Sequence, residues 1–253
     1  MKWRCIIAVA SALGALSASP DAIVSGTEFS SEALRAQQLD ADANPGMLWV
    51  DEGERLWTDS AGTNGKTCAT CHAQAATTMR GVAARYPMFN LATTSLVNLE
   101  GRINQCRTQH QHAQAFPYES DALLGLTAFV AHQSLGMPIQ VDTHGPAAPF
   151  YAAGAAFFHR RQGQMNLSCA NCHDDHVGRK LRGDTISHGV PTGYPVYRLE
   201  WQTLGSLHRR LRACSLGVRA VQFDFGSPEY LALELYLAER AEGLAIETPA
   251  IRR

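Results

Sequence analysis

Apolar residues spaced three and four apart mark four helical stretches along the chain, at 52–57, 121–133, 153–159 and 228–239. Pro228 suits a first helical position, and Ser227 suits the cap before it. Residues 96–107 and 204–214 each predict a further helix between these pairs. No run alternates apolar and polar residues long enough to predict a strand, so the pattern reads as all-α. Ahead of these elements, Lys2 and Arg4 precede an apolar run over 5–16 and the small residues Ala15, Ser17, Ala18 and Ser19. That order reads as a cleaved signal peptide over residues 1–20, and hence an exported chain.

The helical pairs belong to one domain written twice. The pentapeptides Cys68-Ala-Thr-Cys71-His72 and Cys169-Ala-Asn-Cys172-His173 lie 101 residues apart, and Gly53 and Gly154 each stand 15 residues before the first cysteine of their motif. Tyr86-Pro87 matches Tyr194-Pro195 at an offset of 108, and Leu126, Phe129 and Gly136 match Leu233, Tyr236 and Gly243 at 107. A third cysteine, Cys106 or Cys214, follows each Tyr-Pro tyrosine by 20 residues, with Arg102 or Arg210 four residues before it. The expected layout is an arm at 21–47 lying on the surface, a first domain at 48–142 and a second at 149–253. The Pro- and Gly-containing stretch 136–149 reads as the linker.

Composition narrows the chemistry. With 45% hydrophobic and 18% charged residues and a net charge of -1, the chain is neither fibrous nor disordered, and it is poorly suited to nucleic acid. No segment supplies the roughly 20 apolar residues of a membrane span. Cys-x-x-Cys-His in an exported chain points to heme c, with two thioether bonds and an adjacent histidine ligand. Cys68 and Cys71 would hold one heme and Cys169 and Cys172 a second, with His72 and His173 on the irons. A redox dithiol or a pooled zinc site is the rival for a lone motif; two matched copies favour two heme c groups.

The sixth ligand is open on residue type alone. No methionine follows Cys172, and Met79, Met88 and Met137 lack counterparts in the second half, where His188 and His208 are the rivals. Cys106 and Cys214 recur at matched positions and are assigned as axial sulfur ligands; buried structural thiols, or a Cys106–Cys214 disulfide, are the alternatives. Residues 151–220 hold ten Lys and Arg against four Asp and Glu, whereas residues 51–120 hold six of each. The second half is therefore the basic one. Arg210, one helical turn before Cys214, is placed to bind an oxyanion and to favour the thiolate. The competing reading is a non-catalytic diheme electron carrier whose basic face docks an acidic partner.

The segment Asn44-Pro-Gly-Met-Leu-Trp-Val50, Gly53, Trp57, both heme motifs, Cys106-Arg107, Arg210-Leu-Arg-Ala-Cys214 and Val218-Arg219-Ala220 together resemble the diheme A subunits of the SoxAX cytochromes of the sulfur-oxidising (Sox) system. The resemblance covers essentially the whole chain after the signal peptide. It implies a tandem pair of c-type cytochrome domains and a periplasmic L-cysteine S-thiosulfotransferase, which joins thiosulfate to a cysteine of the carrier SoxYZ and passes electrons to a c-type cytochrome. It also implies a heterodimer with SoxX, a small monoheme cytochrome. By motif match, Cys214 would be the catalytic cysteine, an axial ligand carried as a persulfide, Arg210 would bind substrate, and Cys106 would ligate the first heme.

Overall fold

The computed structural model describes residues 22–253; the expected signal peptide at 1–20, with Cys5, lies outside them. Among the described residues there are ten helices: α1 Glu32–Leu39, α2 Met47–Thr58, α3 Cys68–His72, α4 Ala75–Thr78, α5 Leu99–His110, α6 Asp121–His132, α7 Ala148–His159, α8 Cys169–His173, α9 Leu207–Gly217 and α10 Pro228–Arg240. Seven strands of two or three residues accompany them: β1 Met88–Asn90, β2 Ser95–Val97, β3 Lys180–Leu181, β4 Asp184–Thr185, β5 Val196–Arg198, β6 Thr203–Gly205 and β7 Ile251–Arg252. The set α2, α3, α5 and α6 recurs as α7, α8, α9 and α10, and the hairpin β1–β2 recurs as β5–β6. The duplication in sequence is thus a duplication in space.

The matched glycines explain how each half closes. A Cβ on Gly53 would sit 2.1 Å from the carbonyl oxygen of Gly125, and one on Gly154 would sit 2.0 Å from that of Ala232. The first and last helices of each half therefore touch backbone to backbone, α2 on α6 and α7 on α10, at a spot where any side chain would wedge them apart. Around the contact, Val50 and Trp57 bury against Leu124, Ala128 and Phe129 in the first half. Phe157 and Phe158 bury against Leu233, Tyr236 and Leu237 in the second. Each such side chain contributes ~1.5–3 kcal/mol when fully buried.

The strands depart from the strand-free expectation. At two or three residues each, they are too short for alternation to show in the sequence. They also shift two helices: α5 and α9 begin three residues later than the expected 96 and 204. Residues 95–97 and 203–205 pair into the hairpins, after which Asn98 and Ser206 cap the helices by accepting from the N–H groups of Gly101 and Arg209. Ser227 caps α10 as the sequence suggests, accepting from the N–H of Tyr230.

The stretch 136–149 is no free linker. Ile139 and Val141 are buried in a core shared by the two halves, with Ala84, Leu96, Leu235, Ala238 and Ile246. The N–H of Gln140 donates to Ala84 O at 2.8 Å and that of Ile139 to Leu244 O at 2.9 Å, so the stretch stitches both halves together. The arm at 21–47 packs on the far end of the chain: Asn44 Nδ2 donates to Pro249 O at 2.9 Å, and Gln38 Oε1 accepts from the N–H of Ile251 at 3.0 Å. Strand β7 in turn pairs parallel to β5, which pairs antiparallel to β6. Among the described residues, no helix is long and apolar enough to cross a membrane.

Candidate heme and active site

Each Cys-x-x-Cys-His segment is a single short helix, α3 or α8, opened by a reciprocal cap: Thr67 with Thr70 and Ser168 with Asn171. A spacing of three residues puts both thiols of a motif on one side of the helix with the histidine beside them. The third cysteines come to their own motifs. Cys106 lies near Cys68 and Cys71, and Cys214 lies near Cys169 and Cys172, close enough for the sulfurs to disfavour one another's ionisation. None of the six described cysteines is in a disulfide, so the alternative Cys106–Cys214 bond is not formed. Among the described residues no group of three or more His, Cys, Asp and Glu is arranged to hold a bare metal ion, which leaves the pooled zinc site without support.

The second centre fits heme c through its histidine. His173 Nδ1–H donates to Ser187 O at 2.7 Å, which fixes the ring and leaves Nε2 as the nitrogen that would bind an iron. Gly189, at φ +70°, makes room for that ring: a Cβ there would lie 2.9 Å from His173 Cγ. In the first centre the Trp57 ring lies 5.8 Å from that of His72, and Trp57 Nε1–H donates to Ala73 O at 3.0 Å. Met79 is packed into the core of the first half, whereas Met88 is exposed on β1.

His208, a rival ligand in sequence, is engaged elsewhere. It is buried, its Nδ1 accepts from the N–H of Gly226 at 3.0 Å, and its Nε2–H donates to Glu234 at 2.9 Å. Both ring nitrogens are used, so His208 has none left for an iron. His188 packs edge-on against Phe29, with Asp174 and Arg240 nearby.

The thiols differ in kind. Burial pushes Cys68, Cys106 and Cys172 up, and Cys169 up to about 12. Burial pushes on Cys214 as well, but Arg210, His173 and Arg198 overcome it and bring the thiol down to about 7. Arg102 opposes burial at Cys106 without reversing it.

Not every arginine in the basic run contributes. Arg209 pairs with Glu119 at 3.7 Å and lies 4.3 Å over the Trp201 ring, while Arg212 donates to Phe223 O and Arg219 to Gln164. Arg198, unremarked in sequence, is the addition. Its side chain is 6% exposed, its Nε–H donates to Glu200 Oε1 at 3.1 Å, and its NH2 reaches Asp184 Oδ2 at 3.5 Å. The available signal was the repeat itself, because the matching residue of β1, 108 positions earlier, is Asn90. Buried Tyr194 lies beside Arg210 and Arg198, and burial holds its phenol protonated.

The family model for the SoxA/TsdA cytochrome c domain matches residues 52–139 and again 153–246. L-cysteine S-thiosulfotransferase subunit SoxA of Pseudaminobacter salicylatoxidans is 37% identical over 91% of this chain and 81% of its own. The chain belongs to the SoxA family. The SoxA subunit of Rhodovulum sulfidophilum is 38% identical over 92% of this chain and 81% of its own. The crystal structure of SoxXA from P. pantotrophus superposes with a TM-score of 0.88 at 35% identity, covering 91% of this chain and 87% of that one. Both halves are thus cytochrome c domains of SoxA type, and the chain is a heme-binding L-cysteine S-thiosulfotransferase subunit.

Proposed function

We propose that Cys214 and Arg210 form the active site for thiosulfate conjugation in this SoxA-family chain. In this reading Cys68 and Cys71, with His72 and Cys106, would hold one heme c, and Cys169 and Cys172, with His173 and Cys214, would hold a second. The chain works in the periplasm as a heterodimer with a SoxX-type monoheme cytochrome. The carrier SoxYZ presents the accepting cysteine. The observation that carries the reading is the placement of Cys214, which lies near Cys169, Cys172 and His173 of the second heme motif with Arg210 one helical turn before it and Arg198 close by.

The net reaction joins the thiosulfate dianion to a carrier thiolate. One sulfur–sulfur bond forms, the product carries one negative charge, and two electrons leave; starting from a thiol, one proton leaves as well. Heme c, when bound, supplies a one-electron acceptor, so two centres and an external c-type cytochrome complete the oxidation. Arg210 neutralises part of the repulsion between the thiosulfate dianion and the Cys214 sulfur, keeping both in reacting range. Cys214 is the sulfur centre, carried as a persulfide.

Cys214→Ala in the heterodimer should abolish thiosulfate-dependent cytochrome reduction while intact mass still counts two hemes. Electron paramagnetic resonance of the unaltered complex should show low-spin signals of histidine–thiolate ligation. Undiminished turnover in the variant would reduce the chain to a diheme electron carrier.

A further inference from the structure

We propose that Arg198 is a second anion-binding residue of the active site, and that Glu200 is an internal counter-anion that thiosulfate displaces from between Arg198 and Arg210. The inference rests on reading Cys214 and Arg210 as the thiosulfate site. One carboxylate oxygen, Glu200 Oε1, lies 3.1 Å from Arg198 Nε and 4.0 Å from Arg210 NH1. Two guanidinium groups, both close enough to act on Cys214, therefore converge on a single oxygen, and an anion already occupies the point of convergence.

Exposure shows which partner is fixed and which can exchange. Arg198 is 6% exposed and stands on β5, the central strand of its sheet, so its position is set by backbone pairing on both sides. Its two carboxylate partners are rim groups: Glu200 is 47% and Asp184 37% exposed. Asp184 has another partner at hand, since its Oδ1 lies 3.8 Å from Arg253 Nε. A buried guanidinium must stay paired, whereas solvated carboxylates lose little by turning to water or to Arg253. An incoming dianion can therefore take the Glu200 place with the two cations ready to receive it. Thiosulfate carries two charges, and one guanidinium would balance only one of them.

The first cytochrome domain is an internal control. It repeats the third cysteine and its preceding arginine, as Cys106 and Arg102, and it repeats the hairpin in the same register, with Asn90 opposite Ser95 where Arg198 faces Thr203. Asn90 takes the place of Arg198, and Ala92 that of Glu200. Asn90 Nδ2 donates to Gln105 of α5 at 3.4 Å, while the position matching Gln105 is Ala213, next to Cys214. Asp184 sits in the hairpin β3–β4, within the segment where the repeat offset widens.

The test uses the heme-loaded heterodimer, titrated with sodium thiosulfate in a calorimeter at low ionic strength and then assayed with carrier and acceptor cytochrome. Arg198→Met should weaken thiosulfate binding by on the order of tenfold or more, the worth of one charge-assisted hydrogen bond. KM should rise by a similar factor and kcat should change less. Glu200→Gln should do the opposite and tighten binding by roughly threefold or more, as a competing charge is removed. Unchanged affinity in Arg198→Met, or weaker binding in Glu200→Gln, overturns the proposal. Where Arg198→Met fails to assemble, Glu200→Gln decides, because its predicted gain cannot arise from damage. A complex that binds thiosulfate in this pattern but never transfers it to the carrier refutes the active-site reading and leaves the clamp standing. Normal turnover with both variants indifferent does the reverse.

Discussion

Replacing Gly154 with alanine tests the backbone contact on which the second domain closes. The added Cβ would lie 2.0 Å from Ala232 O and 2.9 Å from Tyr236 Cβ, and ordinary contact begins at 3.4 Å, so α7 and α10 must part by about 1.4 Å. Both nearest obstacles belong to or adjoin helix backbone, so neither can swing aside. A gap of ~0.5–1 Å already forfeits a quarter to a half of the dispersion between facing atoms. Phe157, Phe158, Leu233 and Tyr236 line the seam, and each is worth ~1.5–3 kcal/mol when buried, so losing a quarter to a half costs ~1.5–6 kcal/mol. Alanine returns ~1 kcal/mol of helix propensity. The net is ~0.5–5 kcal/mol of destabilisation, or about 1–20 °C in Tm for a chain of this length. Thermal unfolding of the heme-loaded protein, followed by circular dichroism, measures it. Gly217→Ala is the control, since its methyl group would meet nothing within 4 Å, and its Tm should hold or rise. A Gly154→Ala protein that melts with the wild type would refute the close-contact argument, and Gly53 would lose its explanation too.

Two further outcomes follow from the polar seam between the domains. Glu100 is buried, and burial followed by the neighbouring Glu234 raises its carboxyl from 4.5 to about 7. The folded state then binds this proton more tightly than the unfolded chain, so native stability falls as pH rises from about 4.5 through 7. Glu100→Gln should raise Tm at pH 8 and not at pH 5, and equal shifts at both would contradict the assignment. Asn98, 2% exposed, caps α5 through the N–H of Gly101 at 3.0 Å, accepts from Tyr118 OH at 3.1 Å and donates to Glu234 at 3.3 Å. Asn98→Ala strands those partners and should cost ~2–4 kcal/mol in urea unfolding, with the m-value unchanged; a loss under 1 kcal/mol would mean water replaces the amide.

Much of the site was legible because its chemistry is local. A heme c motif is five residues, an arginine four positions before a cysteine is one helical turn away, and a repeat compares every position with its partner. The starts of α2 and α7 were less legible than the bounds of α6 and α10: periodicity marks their buried middles, while α2 and α7 start earlier, at Met47 and Ala148. The hairpins escaped because three residues cannot display an alternation. Within the stretch 136–149 the burial of Ile139 and Val141 was not legible, because it depends on a partner about 100 residues away.

By itself the amino-acid order determined the duplication, the two thiol pairs with their histidines, the third cysteine of each half and the apolar faces of the terminal helices. These are patterns within a helical turn or between two copies of one domain, so neighbouring residues specify them. Tertiary structure alone decided which charges meet. It set Arg198 beside Cys214, turned Arg209, Arg212 and Arg219 to other partners, and closed His208 between Gly226 and Glu234. Such pairings join elements far apart in the chain, and burial at the meeting point governs how strongly each charge acts, a property that no local pattern carries.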